Sequence, residues 1–451
     1  MDLADLKAGR LSAADYASNL GDAHPPLNRP QALIEAERCY YCYDAPCQTA
    51  CPTGIDIPTF IQRVAQDNVR GAAEAILTAN PLGGMCARVC PTEVLCEQAC
   101  VRNTNESKPV EIGMLQRYAV EGYFNKPGQP LFMRAPATGK RVAEVVAGPA
   151  GQAAAHGLAR RGHDVALFDA NPKLGGLNEY GLATDKVAGG FAQQEIDWLL
   201  SIGGITPKLN CRLGRDITLD GLLSDYDAVF LGLGLAGVNA LGIAEPQVPG
   251  LRNAVDFIAE LRQSEPSNVV VGRKVVVIGG GMTAVDAAVQ SKLLGAEQVT
   301  MVYRRGMDGL SASEHEQHWA QTNGVTIRCW ARPLAVEAEG GELRGMRFAA
   351  TKVEAGKLVD TGEQFTIEAD MVLRAIGQTY DATPAGAAIE LQGGRIKTDE
   401  QFRTSLARVW AGGDCRIGGR DLTVEAVEHG KRAAESIHAT FNDALTGVAH
   451  G

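Results

Sequence analysis

No run of eighteen or more apolar residues occurs in the 451-residue chain, so no segment reads as a membrane-spanning helix. An excess of basic charge is also missing. Against 53 Asp and Glu stand 43 Lys and Arg, a formal net charge of −10, which argues against a nucleic-acid-binding surface. The opening MDLADLKAGRLSAADYASNL lacks the basic-then-apolar profile of a secretory signal. There is no GxSxG nucleophile elbow and no HExxH zinc helix. His315 and His318 stand three apart in a segment that reads as a solvated helix face. The expectation is a soluble, cytoplasmic chain of roughly two to four domains with no nucleophile–base arrangement of its own.

Glycine and cysteine are plentiful. The 52 glycines follow no collagen-like period and point to many tight backbone turns. Of 11 cysteines, eight fall between 39 and 100, which in a chain without a signal peptide favours metal over disulfides. They read Cys39-x2-Cys42-x4-Cys47-x3-Cys51-Pro52 and Cys86-x3-Cys90-Pro91-x4-Cys96-x3-Cys100. Zinc ribbons pair two CxxC knuckles, whereas only Cys39 and Cys42 form one here. Two groups of four, each with a Cys-Pro, resemble a pair of 4Fe-4S clusters held by soft thiolates. Residues 55–80 carry helical apolar spacing with Pro58 near the start, so the first 135 residues read as a mainly helical domain around the clusters.

After residue 135 the pattern turns to strand–turn–helix–strand. Arg141–Val146 reads as a strand, the turn carries Gly148 and Gly151, and Asp164–Phe168 ends on Asp169, placed to take ribose hydroxyls. Val146 stands where GxGxxG has its first glycine, and Glu144 interrupts an apolar strand. A second unit is cleaner: Lys274–Ile278, then Gly279, Gly281 and Thr283 in GGGMTA, then Gln298–Tyr303 ending on Arg304 and Arg305. Two arginines there suit the 2′-phosphate of NADP, although a solvated Arg pair would look the same. Residues 334–375 alternate like a β-meander. VLRAIGQ, with Gly377, and WAGGDC, with Gly413 and Asp414, then return to flavoprotein-like sequence. A helix beginning near Thr423 would bring its positive end to a flavin.

These motifs, above all CYYCYDAPCQTACPTGIDIPTFIQR, CARVCPTEVLCEQACVRN and VEIGMLQRYA, resemble the flavin and iron–sulfur electron-input module shared by dihydropyrimidine dehydrogenases and the small subunit of glutamate synthase. The resemblance implies an α/β chain in domains 1–135 (helical, two 4Fe-4S clusters), 136–262 (FAD, first part), 263–377 (NAD(P)H, inserted) and 378–451 (FAD, second part). It implies one cluster on Cys39, Cys42, Cys47 and Cys100, and another on Cys51, Cys90, Cys96 and Gln116, leaving Cys86 a spare thiol. Gly175 and Gly176 would join the FAD site. NADPH or NADH would reduce FAD, and the clusters would carry electrons to a separate FMN-containing catalytic subunit that reduces uracil or thymine. A glutamate synthase small subunit and a flavin-free scaffold of the same fold are the alternatives.

Overall fold

The computed structural model describes residues 5–126, 128–386 and 388–446. They form two compact units, each built from separated stretches of chain. The first comprises His24–Glu179, Gly189–Ala236 and the residues from Tyr380 onward. The second comprises the residues up to Ala23, Tyr180–Ala188 and Gly237–Thr379.

In the first unit, helix α1 (Arg29–Glu37) starts at a capping box in which the Asn28 side chain accepts from the Gln31 N–H and the Gln31 side chain from that of Asn28. Ile57, Phe60, Ile61 and Val64 share the buried face of α2 (Ile57–Ala65). The stretch 55–80, one helical pattern in sequence, is two helices. Asp67 takes a left-handed conformation (φ 58°), and Asn68 caps α3 (Val69–Ala79) by accepting from the Gly71 N–H at 2.9 Å. Helix α4 (Gly83–Val89) follows, and α5 (Ile112–Phe124) packs along both α3 and α4.

These helices share the unit with a five-stranded parallel sheet in the order Val409–Ala411, Ala228–Leu231, Arg141–Val145, Asp164–Phe168, Ile205–Lys208. Helix α6 (Pro149–Arg160), α7 (Phe191–Leu200) and the C-terminal helix Thr423–Thr446 contribute Leu158, Ile196 and Ile437 to the core on one face, with Val142, Leu167 and Phe230 from the strands.

The second unit holds another five-stranded parallel sheet, ordered Val325–Arg328, Gln298–Val302, Lys274–Ile278, Met371–Arg374, Leu251–Asn253. An antiparallel meander of Ala331–Glu339, Glu342–Glu354 and Lys357–Glu368 belongs to it. The sequence pattern runs that meander on to 375, but Met371–Arg374 is buried and joins the parallel sheet. The chain's beginning also differs from expectation. Leu6–Lys7 pairs with Val271–Gly272, and Tyr16 and Leu20 enter this unit's core, so these residues are not part of the helical layer. A two-residue strand carries no periodicity to read. Among the described residues no helix is long and apolar enough to cross a membrane.

One strand residue contradicts its surroundings. Glu144, paired with Leu167 and Phe230 in the middle of the first sheet, is fully buried, and neither carboxyl oxygen has a hydrogen-bond partner. Burial raises its pKa well above the ordinary 4.5. Its stability contribution is therefore fullest below the unfolded value and is lost as pH rises toward the folded one. Glu144→Val is expected to stabilise the first unit by on the order of 2–3 kcal/mol at pH 8. Thermal unfolding at pH 5 and pH 8 checks this: the variant melts higher, and the fall in melting temperature between the two pH values shrinks.

Candidate functional site

The eight clustered cysteines come together in two groups that cross their order in sequence. Cys39, Cys42, Cys47 and Cys100 line one pocket, otherwise walled by apolar groups such as Ile57, Ile61, Val110 and Ile112. Desolvation pushes the Cys47 thiol up to about 12 and raises Cys39 as well. The second group gathers around Cys90, on which Cys86, Cys96 and Cys51 all act. A hydrogen bond with Cys86, followed by burial, holds the Cys90 thiol well above its usual value, and burial raises Cys96. Cys90 is the C-cap of α4, and Gln116 is a buried residue of the α5 helix packed along it. The Gln116 amide nitrogen donates to the Gly83 carbonyl at 2.6 Å, which leaves its oxygen as the end able to ligate.

Thiols in an apolar wall suit a group that neutralises thiolates. Among the described residues, no three Cys, His, Asp or Glu side chains stand close enough to hold a single metal ion. Tetrahedral zinc with bonds of about 2.3 Å requires sulfurs about 3.8 Å apart. A cubane takes each thiolate on a different iron, and a set of four cysteines gathered in one apolar wall is the kind of donor set that holds one.

The turn after Arg141–Val145 is a close meeting of backbones. A Cβ on Gly151 would lie 2.2 Å from the Val146 carbonyl oxygen, and one on Gly176 (φ 54°) 2.6 Å from the Gly148 Cα. The Gly175 N–H donates to the Ala147 carbonyl at 3.0 Å, and Gly148 is the N-cap of α6. Gly413 reaches the same helix start, where a Cβ would meet Ala150, and the Thr423 hydroxyl bonds the Asn178 amide oxygen at 3.1 Å. Asp414 follows Gly413, with its carboxyl pushed up to about 6, mainly by desolvation. Gly148, Gly151, Gly175, Gly176 and Gly413 therefore meet at one helix N-terminus, the backbone geometry that receives a pyrophosphate.

Asp169 lies under this turn, with both carboxyl oxygens engaged by backbone: Oδ2 accepts from the Ala147 N–H at 3.0 Å and Oδ1 from that of Asn171 at 2.9 Å. Val146 keeps the left-handed conformation of the glycine it replaces (φ 74°), and its side chain packs on the core that includes Val145, Phe168 and Leu231. The departure from GxGxxG thus appears as backbone strain of about 1–3 kcal/mol, while the turn keeps its shape. The residues present fit a flavin dinucleotide.

In the second unit Gly279 turns at φ 153°, with the Ala375 carbonyl 2.1 Å from where a Cβ would stand. Gly281 caps the helix Met282–Leu293, which Thr283 enters in its first turn. Arg304 and Arg305 follow the neighbouring strand; both are exposed, and neither side chain has an ion-pair partner among the described residues. The Thr351 hydroxyl and the Trp330 N–H bind the Arg304 and Arg305 carbonyls at 2.8 and 3.1 Å, which fixes the backbone that presents the two cations. Gly377 belongs to this unit, on the ribbon pairing Gln378–Thr379 with Gly237–Val238, and not with the other flavin-type glycines. Sequence reasoning missed Asn178, His429, which accepts from the Gly413 N–H at 3.2 Å, and Glu195; none sits in a motif.

Two parallel sheets with glycine turns, one unit interrupting the other in the chain and a thiol-lined helical layer preceding them, define a nicotinamide- and flavin-dependent reductase with an iron–sulfur domain. The chain belongs to the pyridine nucleotide-disulphide oxidoreductases, matched over residues 142–430, and within them to the family that includes the glutamate synthase small chain and the dihydropyrimidine dehydrogenase subunit PreT. Residues 16–127 match dihydropyrimidine dehydrogenase domain II, 4Fe-4S cluster. The chain is 34% identical to the NADPH glutamate synthase small chain of Escherichia coli K12, covering 92% of this chain and 93% of that one. It is 34% identical to the NAD-dependent dihydropyrimidine dehydrogenase subunit PreT of Salmonella typhimurium, covering 96% and 99%. Mycobacterium tuberculosis FprA in complex with NADPH shares the fold at a TM-score of 0.59 and 18% identity, over 69% of this chain and 86% of that one.

Val146→Gly removes the left-handed strain and is expected to raise flavin retention. Flavin-to-protein absorbance ratios after gel filtration check it: the variant keeps more flavin than the parent, and equal ratios would show that the strain does not reach the dinucleotide.

Proposed function

We propose that this chain takes electrons from NAD(P)H and delivers them, through FAD and two 4Fe-4S clusters, to a catalytic partner subunit that carries FMN and reduces uracil or thymine to the 5,6-dihydropyrimidine. The observation that carries the reading is the sorting of thiols into two groups within the same compact unit as the flavin-type turn. When bound, the flavin accepts an electron pair from the nicotinamide and the clusters pass electrons singly.

The chain's own residues bind, orient and screen. Cys39, Cys42, Cys47 and Cys100 hold one cluster in a largely apolar pocket. Cys51, Cys90, Cys96 and Gln116 hold the other, and Cys86 supports Cys90 by hydrogen bonding. The N–H groups at the start of α6 receive the FAD pyrophosphate. Arg395 binds the Asp414 and Gly419 carbonyls at 2.8 and 2.6 Å, holding in place the loop whose Asp414 would take the hydroxyls of the ribityl chain. Arg304 and Arg305 offer paired charge to the 2′-phosphate of NADPH.

A glutamate synthase small subunit is the second reading, favoured by an identity of 34% to that chain, equal to the identity with PreT. Anaerobic affinity purification from the native cells, followed by mass spectrometry, separates the two. An FMN-barrel partner of pyrimidine-reducing sequence is the expected result, and a large glutaminase-bearing partner would transfer the chain to glutamate synthase. A colourless chain recovered alone would contradict both.

Nicotinamide choice is testable in the purified protein. Arg304→Ala is expected to raise the Kd for NADPH about tenfold, about 1.4 kcal/mol, and that for NADH by less than about twofold. Equal losses would show that Arg304 does not read the 2′-phosphate.

A further inference from the structure

Helix α4 is short, begins without a cap from its own segment and carries Cys90 at its end. Its N-terminus is served instead by Glu195 of α7, a helix of the flavin-type sheet. Glu195 Oε1 accepts from the Gly84 N–H at 2.7 Å and Oε2 from the Met85 N–H at 3.2 Å, and the residue is 1% exposed. Burial pushes its carboxyl up to about 8, while the two backbone donors favour the charged form. No use for Glu195 follows from dinucleotide binding.

The approach depends on two adjacent glycines. A Cβ on Gly84 would lie 2.4 Å from the Phe191 ring and 2.8 Å from Glu195 Oε1. A Cβ on Gly83 would lie 2.4 Å from the Ile76 side chain, and the Gly83 carbonyl is the group that holds the Gln116 amide at 2.6 Å. Arg88, further along α4, stacks over Phe191 at 3.7 Å and pairs with Glu121 of α5. One side of α4 is thus fixed by α7 and the other by α5. Its first turn sets the Gln116 amide and its last residue is Cys90.

We infer that Glu195 is a positioning residue for the second thiol group: through α4 it holds Cys90 and the Gln116 amide in place, so the flavin-type sheet fixes the geometry of that cluster. The inference rests on the reading that this group holds a cluster. The Glu195 carboxyl takes two N–H groups that the first turn of α4 cannot satisfy within itself, so their loss releases the helix start. Ligand geometry and hydrogen bonding in turn tune the cluster's potential.

The test is a potentiometric titration of the whole protein, prepared anaerobically and followed by electron paramagnetic resonance, with flavin content as the control. Wild type, Glu195→Ala, Glu195→Asp, Glu195→Gln and Gln116→Ala are compared. Glu195→Ala is expected to shift the midpoint potential and line shape of one cluster only, leaving the other cluster and the flavin content unchanged. Glu195→Asp, with its shorter reach, gives a smaller shift of the same cluster. Glu195→Gln, which keeps an oxygen facing the Gly84 N–H, stays near wild type. Unchanged potentials in both the Ala and Asp variants would overturn the inference, as would equal shifts of both clusters. A silent Gln116→Ala beside a shifted Glu195→Ala would remove Gln116 from the ligands and leave positioning through Cys90 supported. Absence of any cluster signal from wild type would instead defeat the underlying reading.

Discussion

Thiolates in an apolar cavity are unfavourable unless a cation shares the space, and that constraint organises the helical half of the first unit. Cys39, Cys42, Cys47 and Cys100 are drawn from two ends of a sixty-residue stretch into one wall beside Ile57, Ile61 and Val110. Desolvation raises the Cys39 and Cys47 thiols of this wall, Cys47 to about 12, and so disfavours their anions. Iron offsets the cost by binding the anions directly. Helices α1, α2 and α3 are short and capped by the Asn28, Asp56 and Asn68 side chains, and α4 ends on Cys90.

The dinucleotide turns follow a different constraint, the close approach of backbone to backbone. A side chain on Gly151 or Gly176 would collide with the backbone facing it. Against that background Val146 and Glu144 are costs carried by the first sheet. Val146 preserves the turn at the expense of strain, and Glu144 places an unpartnered carboxyl beneath α6. Both are costs in stability that leave the shape of the turn intact.

Much of this was legible in the amino-acid order where chemistry is written in spacing: the cysteine groups, the second glycine turn, the Arg pair, and the return of flavoprotein-like sequence at Asp414. The sorting of thiols was not legible from adjacency, because Cys100 joins the first group across the helices between them. It came from family resemblance. The break at Asp67 was hidden because polar residues near a helix end look alike whether they cap or continue it. Glu195 left no signal at all: its partners are backbone N–H groups more than a hundred residues away. Such contacts are set by packing, which a single sequence does not display.

The most direct test of the account is the iron and flavin content of the anaerobically purified protein, measured with acid-labile sulfide and metal analysis on one sample. The account predicts about eight iron atoms, about eight sulfides and one flavin per chain, with negligible zinc. About four irons would mean that one thiol group holds no cluster, and zinc in place of iron would contradict the electron-transfer reading at its root.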